Sequence, residues 1–66
     1  MIKVERVIYP GWNEHPCYLV RDFNDFIDVC KWMAQNQVEN FLLSSGSGGY
    51  TFQVRKNKEW FALKWE

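Results

Sequence analysis

DFNDFIDVCKWMAQNQ, residues 22–37, decides how the rest of this chain is read. At about 100° per residue, Phe23, Phe26, Ile27, Cys30, Met33 and Ala34 gather on one side of a helix. Asp25, Asp28, Lys31, Gln35 and Asn36 fall on the other side, and Trp32 falls among them. Asp22 or Asn24 can cap the N-terminus by accepting an orphan backbone N–H; the residues alone do not choose between them. Asp25 and Asp28 then stand in the first turns, where the helix dipole favours negative charge. Trp32 is the anomaly. Full burial of a large apolar side chain is worth roughly 1.5–3 kcal/mol, so an indole on the wet side is covered either by the chain's own loop or tail or by another molecule. The sequence reading favours the second, which makes Trp32, with Asp25, Asp28, Gln35 and Asn36 around it, the candidate partner-binding face.

Working outward, residues 2–9 read as a strand rich in β-branched side chains, with Val4 and Ile8 on one face. Pro10-Gly11 ends it, and a polar turn leads to a short strand over residues 17–21, a hairpin partner of the first. Beyond the helix, residues 38–44 (VENFLLS) read as a third strand, and residues 44–49 (SSGSGG) as a flexible connection. Residues 50–56 give the cleanest alternation: Tyr50, Phe52 and Val54 point one way, Thr51, Gln53 and Arg55 the other. After a turn at 56–58, residues 60–65 alternate again, Phe61, Leu63 and Trp65 against Trp60, Ala62 and Lys64, which predicts a last strand. The expected fold is a single α+β domain over residues 1–66, one helix packed on one face of a small, mainly antiparallel sheet, in the order β-β-α-β-β-β. An exposed last strand would let a second copy pair with it, which allows a homodimer.

Composition narrows the function. Sixty-six residues make a marginal core, since a chain this short hides only about 60% of the surface its unfolded form exposes. The 47% hydrophobic and 18% aromatic content compensates, but leaves little room for a ligand pocket of about 300 Å³ or more beside the core. An enzyme is therefore not expected, and no catalytic residue or cofactor is assigned. The net charge is zero and the eight basic residues are scattered, which argues against nucleic acid as the partner. No run reaches the ~18 apolar residues of a membrane span. The opening MIKVERVIY alternates instead of forming the apolar block of a secretory leader, so a cytoplasmic location is expected. Cys17 and Cys30 then read as two buried thiols, although one bridge between them stays open as an alternative.

Candidate chemistry is thin. Gly46, Gly48 and Gly49 resemble a phosphate loop in composition alone, because Tyr50-Thr51 stands where a Lys and a Ser/Thr are required. His15 with Cys17 and Cys30 leaves a zinc site one ligand short, so no metal site is assigned. Nucleophilic catalysis by Cys17 with His15 lacks a group to orient the imidazole. Asp22, Asp25 and Asp28 could act as paired acids only in a cleft that shifts their pKa values; on a wet helix they are capping and solubility residues that also surround Trp32 with negative charge. Trp60, opposite Phe61 in the last strand, would lie on the uncovered face of the sheet, where base stacking needs interleaved cations. Arg55, Lys56, Lys58 and Lys64 are near it in sequence, which keeps a nucleic-acid module as a secondary reading.

Residues 4–12 form an alternating strand that runs into Gly11-Trp12. A polar turn, a short strand and an acidic helix with Val29-Cys30-Lys31-Trp32 follow. This pattern, with the separation of Trp12 from Trp32, resembles the Dmd family of small phage proteins, the discriminators of mRNA degradation. The overlap covers roughly residues 2–43, and the stretch from Ser44 onward departs from the family's shorter tail. What the resemblance implies is an antitoxin. Its partner would be a host endoribonuclease toxin, inhibited by occupation of a groove, and the family's contact tryptophan corresponds to Trp32. A phage inhibitor of another host defence component, such as an anti-CRISPR, or of host transcription or replication is the alternative within the same class.

Overall fold

The computed structural model describes residues 2–8 and 14–66. The strand-ending Tyr9, Pro10 and Gly11, and the family-matching Trp12, lie outside the described residues. Four strands and two helices follow in the order β1 (Glu5–Val7), β2 (Cys17–Val20), α1 (Phe23–Gln35), β3 (Asn40–Gly46), β4 (Gly49–Val54) and α2 (Lys58–Trp65). All pairings are antiparallel, and the spatial order β1-β2-β4-β3 inserts the last strand between the second and third. The α+β class and the antiparallel sheet stand as expected. The single-helix architecture and the final strand do not.

The correction lies in residues 58–65. KEWFALKW contains no glycine, proline or β-branched residue, and Lys, Glu, Ala and Leu are good helix formers. Phe61, Leu63 and Trp65 form an alternating set, but Phe61 and Trp65 are also four apart, the spacing of one helix face. The helix wins because that face meets α1 and the sheet: Phe61 is fully buried against Tyr18, with ring centroids 4.6 Å apart, while Trp65 packs against the core edge. A strand would have buried Leu63 beside Phe61, and Leu63 is instead 76% exposed. The edge expected to receive a second copy is therefore not a strand.

Helix α1 starts at Asp22, whose carboxylate accepts a hydrogen bond from the Asp25 backbone N–H at 3.0 Å, so Asp22 and not Asn24 is the cap. At the other end Gln37 takes a left-handed φ of 56°, and the Val38 N–H reaches back to the Met33 carbonyl at 2.9 Å. This is the glycine-favouring C-terminal motif, held here by a glutamine, with Val38 buried against Met33 as its apolar clasp. Asn57, the second residue with positive φ (59°), donates its Nδ2–H to the Gln37 carbonyl at 2.8 Å and so ties the end of α1 to the start of α2.

The core sits between the helices and one sheet face. It contains Tyr18 and Val20 from β2, Phe52 and Val54 from β4, Val29 and Met33 from α1, Val38, and Phe61. Phe26 stacks on Tyr50, 4.6 Å between centroids and 8° between planes. The buried side of α1 is turned toward Trp32 relative to the sequence expectation. Val29 is fully buried, whereas Phe23 and Ala34 are exposed. The cause is α2, which adds a second apolar surface on that flank. Just outside the two ends of β1, Val4 packs against the core, but Ile8 is 90% exposed.

The glycine-rich connection is a tight hairpin. β3 runs on to Gly46, Ser47-Gly48 make the turn, and Gly46 pairs with Gly49. Gly49 has φ +121°, and a Cβ there would lie 2.9 Å from the Arg21 Cα, so this position requires glycine. Cys17 and Cys30 are both free thiols, and burial pushes both up from the usual thiol pKa.

Candidate protein-binding face

The five residues predicted to bind a partner lie on one side of α1. Asp25, Asp28, Trp32, Gln35 and Asn36 fall within about 100° of arc. Asp28 and Gln35 are exposed, and Asp25, Trp32 and Asn36 are partly buried. Ion pairs among the described residues link Lys3 and Arg21 to Glu5, and Arg6 to Glu66; none involves Asp25 or Asp28. Asn36 has a local task. Its side chain and its backbone N–H both donate to the Trp32 carbonyl, at 2.9 and 3.0 Å, and close the helix end.

Trp32 is covered in part by the chain's own C-terminal segment. Its ring meets Phe61 and Trp65 edge-on, with centroids 6.1 and 5.9 Å away. Of the two ways to cover that indole, the tail provides one, and the remaining surface stays at the border of the acidic face. Sequence reasoning missed this role because it placed Phe61 and Trp65 on a sheet. The signal that could have found it is the four-residue spacing of those two aromatics. α2 also presents Trp60 (56% exposed) and Leu63 outward, three apart on its free side.

A second feature is a cleft of about 290 Å³ between β2 and α2, lined by Arg6, Glu14, His15, Tyr18, Lys58 and Glu66 among others. It is close to the size that the sequence reading left no room for. Three of its polar contacts join the lining residues to one another. The Tyr18 hydroxyl donates to Glu66 Oε2 at 2.6 Å, the Arg6 guanidinium lies 3.6 Å from the same oxygen, and Lys58 Nζ reaches the Glu14 carbonyl at 3.4 Å. Burial, and then the Glu66 carboxylate, push the Tyr18 phenol well above the ordinary tyrosine range. This arrangement fastens α2 to the sheet, while the buried Nδ1 of His15 in the same lining has no hydrogen-bond partner among the described residues.

The sheet face away from the helices carries Phe41, Gln53 and Arg55. Gln53 is buried although it belongs to the expected polar set; its Oε1 accepts from Arg55 Nε at 2.7 Å, and the guanidinium lies 4.8 Å from the centre of the Phe41 ring. Among the described residues, no cluster of three or more His, Cys, Asp and Glu side chains could hold a metal ion, and no helix is long and apolar enough to cross a membrane. No family model matches the chain, and no curated protein or solved structure does either.

Proposed function

We propose that this chain is a small phage-encoded binding protein that inhibits a host defence protein by lying across its working groove. The observation that supports this is the outward face of α1, where two carboxylates without ion-pair partners among the described residues border a partly exposed indole. Carboxylates left unpaired beside an aromatic anchor suit a basic groove, and an enzyme that cleaves RNA has a basic groove because it must hold phosphates. The specific form of the proposal is an antitoxin that occludes a host endoribonuclease, as the resemblance around Val29 to Trp32 suggests. The same face would serve against another host target. The mechanism is steric, since a standard interface of about 800 Å² per partner takes a substantial share of so small a surface.

Co-expression with endoribonuclease toxins, followed by co-purification, tests it. Rescue of growth and a stable complex are expected with the cognate toxin. Asp25→Lys with Asp28→Lys should slow association at low salt by about tenfold or more, and reversing two charges in the first turns of α1 should cost about 0.5–2 kcal/mol of stability. Failure across a toxin panel would refute the antitoxin form, and unaltered association by the double variant would refute the α1 face. Arg55 over the exposed Phe41 ring favours a second reading, single-stranded nucleic acid at the β3 border of that sheet face. A mobility-shift titration at about 0.15 M salt that shows no binding tighter than about micromolar would dismiss it.

A further inference from the structure

The cleft between β2 and α2 gathers side chains from three separate parts of the chain: Arg6 from β1, His15 and Tyr18 at β2, and Lys58, Ala62 and Glu66 at α2. Its hydrogen-bond donors are less committed than its acceptors. The Tyr18 hydroxyl already occupies Glu66 Oε2 at 2.6 Å. Arg6 Nη1 lies 3.6 Å from that oxygen, beyond hydrogen-bond distance, and its side chain is 61% exposed. Lys58 Nζ makes one long contact, 3.4 Å to the Glu14 carbonyl, and has two further N–H groups to offer. The first turn of α2 has no capping side chain, because Asn57 directs its amide to the Gln37 carbonyl instead. His15 adds a buried Nδ1 with no partner among the described residues, and a buried polar atom of that kind points to an occupant that the fold itself does not supply.

Charge and size choose the occupant. Arg6, Lys58 and the positive end of the α2 dipole support one added negative charge. A second would be opposed, because the carboxylates of Glu14, Glu59 and Glu66 line the same cleft. A carboxylate carries one charge, whereas a phosphate monoester carries close to two at about pH 7, its second pKa being about 6. A carboxylate also matches the fork of a guanidinium. Pro16 and Ala62 give the lining an apolar part, and the volume of about 290 Å³ stands at the lower limit of small-molecule sites, about 300 Å³. We infer that this cleft binds a small organic monocarboxylate, its carboxylate held by Arg6 and Lys58 at the start of α2 and its apolar body lying on Pro16 and Ala62. The cleft is separate from the α1 face, so this site and the inhibitor reading stand or fall independently.

Titration of the whole chain with phenylacetate, followed by amide NMR and calorimetry, tests the inference, with phenyl phosphate as the dianionic probe and benzyl alcohol as the neutral one. Phenylacetate should bind with a Kd of about 5 mM or tighter, and the largest shifts should fall on the amides of Lys58 and Glu59 and on the His15 ring. Phenyl phosphate should bind at least about tenfold more weakly, since like charges meet it in the cleft, and benzyl alcohol should not saturate. Lys58→Gln and, separately, Arg6→Gln should each weaken phenylacetate binding by at least about tenfold. Lys58→Gln leaves the Tyr18–Glu66 contact in place, so its melting temperature should match the parent's and separate loss of ligand from loss of fold. Lys64→Gln, on α2 but outside the cleft, should bind as the parent does. A Kd for phenylacetate weaker than about 5 mM would overturn the inference. So would tighter binding of phenyl phosphate, equal binding of benzyl alcohol, or a loss in Lys64→Gln as large as in Lys58→Gln.

Discussion

Trp32→Ala should destabilise this domain by about 2–4 kcal/mol. Trp32 is partly buried at the junction of α1 and α2, where it makes two edge-to-face contacts, with Phe61 and Trp65. Each such aromatic pair is worth roughly 0.5–1.5 kcal/mol beyond the area it buries. Truncating a fully buried aromatic costs about 3–5 kcal/mol, which sets the ceiling for a side chain that keeps some exposure. In a domain of this size each kcal/mol moves the midpoint by about 4–8 °C, so a fall of roughly 10–30 °C is expected. Thermal melts followed by far-UV circular dichroism, with a denaturant titration beside them, measure it, and Trp32→Phe should recover a good part of the loss. A variant within about 0.5 kcal/mol of the parent would show that α2 is not docked on α1 through this indole. The same measurement calibrates binding experiments, because a Trp32 variant that loses a partner has also loosened the fold, whereas Asp25 and Asp28 change the charge of the face without opening the core.

Gln37→Gly should raise stability by about 0.5–1 kcal/mol, because φ +56° is strained for glutamine and free for glycine; a comparable loss in a urea titration would refute the left-handed cap. Alkaline pH should unfold the protein by way of Tyr18. Its folded pKa is raised, so its contribution is complete below the unfolded value of about 10 and is lost as pH rises above it. Tyr18→Phe should flatten stability above about pH 10, and an unchanged alkaline limb would show that the phenol is not buried against Glu66.

Elements that carry an unambiguous period or a local cap are legible in the residues alone. The thirteen residues of α1 hold a 3.6-residue pattern long enough to exclude any other, with Asp22 among its candidate caps. β4 holds a clean alternation, and Phe52 and Val54 enter the core on the expected side. The acidic arc of α1 was legible for the same reason, since the positions of a helix fix one another. The remaining features depend on contacts between segments that no local window holds. Residues 58–65 are too few to separate a period of two from one of 3.6, and the helix is chosen by what Phe61 and Trp65 reach: Tyr18 and Trp32, both distant in sequence, and Phe52. The insertion of β4 between β2 and β3 is likewise a non-local pairing that no short window contains. The state of Trp32 follows from both. Whether an indole on a helix flank faces water depends on which segment returns to cover it, and that segment lies more than two dozen residues along the chain.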